Sequence, residues 1–335
     1  MASYTCLRDE TGRGKNTTMK IVIAGGTGQV GAVLTRALMA RGHEVVVISR
    51  SGKSQARIVQ WDGRTPGPWA GELDGADVVI NLAGRSVNCR YSDANLKQMM
   101  DSRVDSTRAV GAAIERATKP PRVWLQMSTA TIYAHRFDAA NDEKTGIIGG
   151  AEPDAPKYWS YSIEIAKAWE RAQAEANAPH TRKVAMRTAM VMSPDSGGIF
   201  DTLHGLVRKR LGGAIAGGRQ FVSWVHERDF VRAALFLIER EDFSGAVNIA
   251  SPNPLPQREF MRALRAAAGV RIGLPATKWM AKIGAFFLRT DTELIFKSRR
   301  VVPARLLDAG FTFDFPEWAA AANELTTRRM QCPQK

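Results

Sequence analysis

Short apolar runs alternate with amphipathic stretches through the first 190 residues of the chain. The apolar runs are rich in valine and isoleucine and have the length of strands buried on both faces. They lie at residues 21–24, 43–50, 58–62, 76–82, 122–128 and 183–187. Helical periodicity fills intervals between them at residues 32–40, 94–118 and 161–176. Strands joined by helix-length connections predict an α/β fold with a doubly wound parallel sheet, covered by helices on both faces.

The first predicted strand leads into a glycine-rich turn. Residues 21–31 are IVIAGGTGQVG, and the following residues begin a helical pattern. Glycine lets the backbone approach a ligand without interference from a Cβ atom. The N-terminus of the following helix offers free amides and the positive end of a dipole to a phosphate. A strand before the turn and a helix after it are the context this motif requires, so we predict a dinucleotide site at Gly25, Gly28 and Gly31.

The pattern changes after about residue 190, where glycine pairs interrupt the chain and helical periodicity dominates, notably at residues 257–268 and 278–288. We expect a Rossmann-type, dinucleotide-binding domain over residues 19–190, to which residues 222–250 return. A smaller, mainly helical substrate domain would comprise residues 191–221 and 251–327. Residues 1–18 are polar and carry both signs of charge, so we expect a disordered tail and a fold that begins at Met19.

The amino-acid composition is that of a globular protein and argues against a membrane protein or a disulfide-rich protein. Of the 335 residues, 44% are hydrophobic and 24% charged, as in an ordinary globular protein. No apolar run is long enough to span a bilayer, and the length of the 278–288 stretch suits a packed domain helix, so we expect no membrane partner. The three cysteines are widely spread and provide neither a disulfide framework nor a metal site, which favours the cytoplasm.

The net charge of +14 raises the question of a nucleic-acid partner. The basic residues are scattered, and no stripe of alternating basic and aromatic residues accompanies them. A basic surface also suits anionic cofactors and substrates. We therefore expect a small-molecule substrate, no nucleic acid, and a monomer or homodimer.

Arg50 ends the second predicted strand, about 20 residues after the glycine turn. An acidic residue at this place binds the adenosine ribose of NAD, whereas an arginine accommodates the 2′-phosphate of NADP. The chain has Ser49-Arg50-Ser51 here, and its nearest acid, Glu44, lies at the other end of the strand. A guanidinium group matches a phosphate in a bidentate manner, so the pattern favours NADP(H). The alternative is an ordinary solvated arginine.

Two further strand ends carry candidate residues at the same edge of the sheet. Small residues at Ala83 and Gly84 would let a cofactor pass close to the backbone after the fourth strand. Residues 128–133, Ser-Thr-Ala-Thr-Ile-Tyr, follow the fifth strand. A hydroxyl group there could hydrogen-bond to a substrate carbonyl or alcohol. Both stretches also have a structural interpretation, as a plain turn and as hydroxyl-rich strand ends.

These motifs resemble the extended short-chain dehydrogenase/reductases, and more closely the atypical nucleoside-diphosphate-sugar epimerase-like group, which binds NADP(H). The Ser-Trp-Val-His-Glu-Arg-Asp stretch at 223–229 is similar to a motif of that group. Residues 301–311 resemble its C-terminal domain of unknown function. Further similar stretches lie at 61–63, 81–84, 101–103, 129–133, 187–188, 193–198 and 212–220.

The resemblance implies a role for individual residues. It places Thr27, Gln29 and Val30 beside the cofactor pyrophosphate, Ser49 and Arg50 at the 2′-phosphate, and Leu82 and Ala83 along the cofactor. It also implies that Arg103 reaches a cofactor phosphate or ribose, and that Asp62 lies near the adenine. Thr129 matches the active-site serine or threonine of the family.

One departure from the family concerns the chemistry. Short-chain dehydrogenases use Tyr-x-x-x-Lys, whose spacing places both side chains on one helix face. Here Ser162 and Ala166 stand at those positions. Tyr161 and Lys167 are six residues apart and point about 120° away from each other, so they are no simple replacement. His226 is a second acid–base candidate because its type titrates near neutral pH, although a lone histidine is more often structural.

Together these features predict an NADP(H)-dependent oxidoreductase or epimerase-like enzyme. Its substrate would be small and polar, such as a nucleotide-sugar, held between the two domains. The absent Tyr-x-x-x-Lys pair keeps an alternative open, a non-catalytic NADP(H)-binding or redox-sensing protein. No metal site is predicted.

Overall fold

A computed structural model describes residues 18–153, 155–287 and 291–331. The predicted N-terminal tail, apart from Thr18, lies outside the described residues, as do Cys332 and the end of the predicted 278–288 helix. The predicted domain boundaries stay a prediction.

Seven parallel strands form the main sheet, in the order β10-β6-β5-β4-β1-β2-β3. Every strand predicted from the sequence is present, with bounds shifted by at most two residues. The strands are β1 (Lys20–Ala24), β2 (Glu44–Ser49), β3 (Arg57–Gln60), β4 (Val78–Asn81), β5 (Val123–Thr129), β6 (Arg182–Thr188) and β10 (Gly245–Ile249). The direction of strand succession reverses between β1 and β4, and open α/β sheets bind ligands at the carboxyl edge of such a point.

Helices cover both faces of this sheet, which confirms the α/β fold class. One face packs on α1 (Gln29–Met39) and α5 (Glu227–Glu239). The other packs on α2 (Asp93–Arg116), beside which lies α3 (Ser160–Ala174). The side chains of the central strands β1 and β4 are almost entirely inaccessible, because both faces of a parallel sheet are covered. This burial explains their near-continuous apolar sequences.

A second core lies beside the sheet and is built mainly from helices. The indole of Trp318 stacks on Phe260 at a ring-centroid distance of 4.0 Å and meets Trp224 edge-on at 4.9 Å. Its elements are β7 (Met190–Met192), α4 (Ile199–Arg208), β8 (Phe221–Val222), β9 (Trp224–His226), β11 (Leu255–Pro256), α6 (Gln257–Ala267) and α10 (Trp318–Gln331). The short strands pair as β7 with β9 and β8 with β11.

Three shorter helices follow α6: α7 (Lys278–Phe287), α8 (Glu293–Phe296) and α9 (Ala304–Asp308). The expectation that the 278–288 stretch forms a packed helix is only partly met. Ala281 is buried, but Trp279 is 64% exposed, and Met280 and Ile283 are also exposed. Trp279, Met280 and Ile283 are therefore not covered by another element among the described residues. Among the described helices, none combines the length and hydropathy needed to cross a membrane.

Candidate functional site

The glycine turn lies at the carboxyl edge of the sheet, between the ends of β1, β2 and β4. Gly25 has a φ of +76°, and its amide donates to the Ile48 carbonyl at 2.8 Å. A Cβ atom on Gly25 would lie 2.7 Å from the backbone of Ala83, and one on Gly31 would lie 2.5 Å from that of Gly26. These two glycines are therefore required by the close packing of the turn itself.

Gly28 differs from its neighbours because it faces open space. It caps the N-terminus of α1 with φ −72°, and no side chain caps the helix. A Cβ atom there would meet only the Gly25 carbonyl oxygen, at 3.6 Å. Behind it, Val30 packs against the core. The helix thus presents free amides and no acidic side chain in its first turn, which suits an anionic group.

The end of β2 is joined to the glycine turn through hydroxyl groups. Thr27 Oγ1 and Ser49 Oγ are 2.7 Å apart, and Ser49 Oγ donates to the Ser51 carbonyl at 2.9 Å. Arg50 is exposed and forms no ion pair with any residue that the structure describes. A guanidinium group left without a carboxylate next to this turn is available to a phosphate.

Asp62 lies near this corner of the sheet, since the Trp61 amide donates to the Ser49 carbonyl at 3.2 Å. Its carboxylate accepts hydrogen bonds from the hydroxyl and amide of Thr65 and from the Arg64 amide. The Thr65 bonds above all lower the Asp62 pKa to about 2. This carboxylate therefore closes its own turn, and its predicted place beside an adenine stays a prediction.

The end of β4 is fixed by a buried asparagine. Asn81 is fully inaccessible. Its Nδ2 donates to Gln126 Oε1 at 3.0 Å, and its Oδ1 accepts from the Ala83 amide at 3.0 Å. The Leu82 amide donates to the Ala24 carbonyl at 2.8 Å. Leu82 and Ala83 are thereby held directly against the glycine turn.

Arg103 projects from α2 to the residue after this turn. A Cβ atom on Gly84 would lie 3.2 Å from its side chain. The guanidinium lies over the Trp169 ring at 4.9 Å and donates to the Met99 carbonyl at 3.0 Å. Arg103 is only 9% exposed, and burial lowers its pKa to about 10. Within the described ranges it has no carboxylate partner, so an anionic ligand would relieve the cost of its burial.

Thr129 is the last residue of β5 and is half-buried. Its Oγ1 accepts from the Thr131 amide at 3.1 Å. Tyr133 has a structural place instead, because its hydroxyl accepts from Arg187 at 3.0 Å and donates to Asn248 at 2.9 Å. Arg187 in turn forms a two-bond ion pair with Glu170 at 2.9 and 2.8 Å.

Helix α3 brings no tyrosine–lysine pair to this edge. Ala166 is fully buried, and Lys167 pairs with Glu164 at 2.9 Å. Ser162, the counterpart of the family's tyrosine, donates to the Glu293 carboxylate at 2.5 Å. The sequence analysis missed Glu293 and Lys297. Their spacing, Glu-x-x-x-Lys, was the signal that could have identified them.

His226 is fully buried at the N-terminus of α5. Its Nδ1 accepts from the Arg228 amide at 3.1 Å, which places its proton on Nε2, 3.0 Å from Glu324. The ring also stacks on Phe315 at 4.0 Å. Both nitrogens and the ring face are engaged, so the geometry gives His226 a structural role.

Comparisons with known proteins agree with this architecture. The sequence profile of the NAD dependent epimerase/dehydratase family matches residues 21–250, and that of the domain of unknown function DUF1731 matches residues 276–325. The epimerase family protein SDR39U1 of Bos taurus is 32% identical over 311 residues, covering 92% of this chain and 99% of the relative. YfhF of Bacillus subtilis is 29% identical over 316 residues, covering 93% and 99%.

Solved structures show the same likeness. The crystal structure of human epimerase family protein SDR39U1 (isoform 2) with NADPH has a TM-score of 0.78 at 28% identity, covering 92% of this chain and 99% of that one. A nucleoside-diphosphate sugar epimerase from Corynebacterium glutamicum has a TM-score of 0.72 at 26% identity, covering 93% and 59%. These matches confirm the resemblance seen in the sequence: the chain belongs to the NAD dependent epimerase/dehydratase family and ends in a DUF1731 domain.

Proposed function

We propose that NADP(H) binds in a crevice at the carboxyl edge of the sheet, beside the glycine turn. The observation that carries this is Arg50, an exposed guanidinium with no ion-pair partner in the described residues, held at the carboxyl end of β2 beside the glycine turn. The open Gly28 and the uncompensated Arg103 fit the other anionic groups of such a cofactor. The human relative crystallised with NADPH supports the assignment.

Different residues of this crevice would contact different parts of the cofactor. The amides of the glycine turn and α1 would hold the pyrophosphate, and Arg50 with Ser49 would hold the 2′-phosphate. The bound cofactor would supply or accept a hydride. Thr129, at the end of β5, orients the substrate by a hydrogen bond. We infer an oxidoreductase or epimerase-like reaction on a small polar substrate, and the sugar-nucleotide epimerase of Corynebacterium glutamicum supports a nucleotide-sugar.

A second candidate function is a non-catalytic NADP(H)-binding or redox-sensing protein. It is favoured by Ser162 and Ala166, which replace the proton-transferring tyrosine and its lysine. General acid–base groups contribute about 10²–10⁴-fold to rates. A protein that lost both without replacement would retain the cofactor and lose most of its turnover.

Calorimetric titration tests the cofactor assignment. Arg50→Ala should weaken NADP(H) binding by about 1.5–3 kcal/mol, roughly ten- to 150-fold, because a charged hydrogen bond to the 2′-phosphate is lost. NAD(H) binding should stay unchanged. Arg41→Ala, at the opposite edge of the sheet, is the matched control and should alter neither affinity. An equal loss for both cofactors would show that Arg50 does not contact the 2′-phosphate.

Turnover separates the two candidate functions. Wild-type protein with NADP⁺ or NADPH is assayed against nucleotide-sugars, sugars and simple carbonyl compounds. Turnover that Thr129→Val abolishes, with cofactor affinity retained, supports the enzyme. Tight cofactor binding with no turnover across the panel supports the binding protein.

A further inference from the structure

Three charged residues from the DUF1731 region converge on the carboxyl edge of the sheet. Glu293 and Lys297 come from α8 and the residue after it, and Arg299 follows two residues later. The side chains of Glu293 and Lys297 are 0% and 1% exposed. A buried ion pair seldom adds stability over an apolar pair of the same size, because both charges lose their hydration. The burial of the Glu293–Lys297 ion pair therefore suggests a function other than stabilising the fold.

The ion pair stands next to the positions where the family carries its tyrosine and lysine. Ser162, at the tyrosine position, donates to Glu293 Oε2 at 2.5 Å. Glu293 Oε1 is 3.4 Å from Lys297 Nζ. Ser162 is half-buried, whereas Glu293 and Lys297 lie behind it. The hydroxyl is thus the exposed end of a continuous chain of three polar groups.

Lys297 and Arg299 also hold Thr131, the residue that contacts Thr129. Lys297 Nζ donates to the Thr131 carbonyl at 2.9 Å, and Arg299 Nε donates to Thr131 Oγ1 at 3.1 Å. The Thr131 amide donates to Thr129 Oγ1 at 3.1 Å. Ser162 and Thr129, the two hydroxyls at the family's active-site positions, are therefore both held next to the C-terminal region, Ser162 by Glu293 and Thr129 by way of Thr131.

We propose that Ser162, Glu293 and Lys297 form a proton relay that takes the place of the missing tyrosine and lysine. The proposal rests on the proposed NADP(H) function and deepens it. Ser162 meets the substrate hydroxyl or carbonyl, and the two buried residues act through it. Thr129 holds the same substrate oxygen from the β5 side.

In the oxidative direction a substrate alcohol becomes a carbonyl compound. The carbinol C–H bond of the substrate breaks and its electron pair leaves as hydride, which reduces the nicotinamide of NADP⁺. The substrate O–H bond breaks as the C=O bond forms, and its proton passes to Ser162 Oγ. The proton of Ser162 passes to Glu293 Oε2. Rotation of the resulting carboxylic acid group brings this proton to Lys297 Nζ, whose amine is neutral above its pKa of about 8, and the ion pair of Glu293 and Lys297 forms. Carbonyl reduction by NADPH runs the same path backward.

The surroundings of Lys297 bring its pKa close to the pH range in which it can gain and lose this proton. Burial lowers its pKa to about 8, against the attraction of Glu293 and assisted by Arg299. Glu152, from the loop before α3, also attracts it. The carboxylate of Glu152 is itself held by the His135 and Gly150 amides. Tyr91, Cys89 and Asp291 also lie in this region. The imidazole of His135 accepts from the Ser298 amide at 2.7 Å, next to Lys297.

Proton release on cofactor binding tests the relay without turnover. The oxidised nicotinamide ring carries a positive charge that the reduced ring lacks, and it should lower the Lys297 pKa when it binds nearby. A fall of one unit from about 8 takes the protonated fraction at about pH 8 from about one half to about one tenth. Proton release on binding is measured by calorimetry in two buffers of different ionisation enthalpy. Binding of NADP⁺ should release about 0.4 proton more per protein molecule than binding of NADPH does.

Substitutions test whether Lys297 is the source of the proton released on NADP⁺ binding. Lys297→Met should abolish the difference between the two cofactors, and so should Glu293→Gln combined with Lys297→Met, which leaves no lone buried charge if the single variant fails to fold. Lys167→Met, which removes an exposed lysine on α3, is the control and should retain the release. Ser162→Ala should retain it too, because Ser162 itself does not ionise.

The outcomes separate the relay from the function on which it rests. Failure of wild-type protein to bind either cofactor would overturn the proposed function. Tight binding of both cofactors with equal proton release would overturn the relay alone. Release that survives the double substitution would place the titrating group elsewhere and overturn the relay as well.

Discussion

The substitution Gly28→Ala tests whether glycine at this position is needed for ligand binding or for folding. Gly28 has a φ of −72°, which alanine adopts without strain, and its new Cβ would meet only one carbonyl oxygen at 3.6 Å. Replacing glycine under such conditions stabilises a protein by about 0.4–1 kcal/mol, because the unfolded chain loses freedom. Alanine is also a poorer N-cap residue than glycine, so the two effects oppose each other and we expect the free energy of unfolding to change by less than about 1 kcal/mol.

The same methyl group projects into the space in front of α1, where the cofactor pyrophosphate is proposed to lie. It would push the phosphates from the amides and weaken charged hydrogen bonds of about 1.5–3 kcal/mol. NADPH affinity should fall about tenfold or more. Stability is measured by urea denaturation, and affinity by the change in NADPH fluorescence on binding.

Gly31→Ala is the contrasting variant, since its Cβ would lie 2.5 Å from the backbone of Gly26. It should destabilise the fold by about 1–3 kcal/mol, as overpacking does. Wild-type NADPH affinity in Gly28→Ala would refute the placement of the pyrophosphate at this turn. A marked loss of stability in Gly28→Ala would refute the claim that its position is open.

Three further predictions concern stability. His226→Ala should lower the free energy of unfolding by about 2–4 kcal/mol, through a lost cap and a cavity, and leave NADPH affinity unchanged. Arg187→Met should lower the free energy of unfolding by up to about 3 kcal/mol, because the Glu170 carboxylate is only 17% exposed and loses its cation. Adding Glu170→Gln should recover most of that loss, as urea denaturation can show. Wild-type protein should gain stability relative to Lys297→Met between about pH 8 and pH 10, because the unfolded chain there binds a proton that folded Lys297 has lost. A flat difference across that range would contradict the lowered Lys297 pKa.

The main fold was predictable because its signals are local. Parallel strands covered on both faces need continuous apolar segments, and each such segment predicted from the sequence is a strand. Strand β10 was missed because glycine and asparagine interrupt its apolar run and its start is exposed. The exposed apolar residues of α7 were misjudged, since periodicity reveals an amphipathic face but not whether another element covers it.

The cofactor crevice was also visible in the sequence, because a glycine turn and the residues ending the first strands lie close together in the chain and on one edge of the sheet. The structure shows that the three glycines of the motif have different roles. Gly25 and Gly31 are required by close backbone packing, whereas Gly28 faces open space. It also assigned His226 to a buried cap, which depends on Glu324 almost a hundred residues away.

By itself, then, the sequence determined the sheet, the glycine turn, the NADP(H)-type strand end at Arg50 and the absence of the usual tyrosine and lysine. Only the tertiary structure decided what stands in their place. Ser162 and Glu293 are separated by 131 residues and meet at 2.5 Å, and no local pattern records such a contact. Hydrophobic periodicity specifies which segments pack, but a polar pair across two regions of the chain is fixed only when both regions have folded against each other.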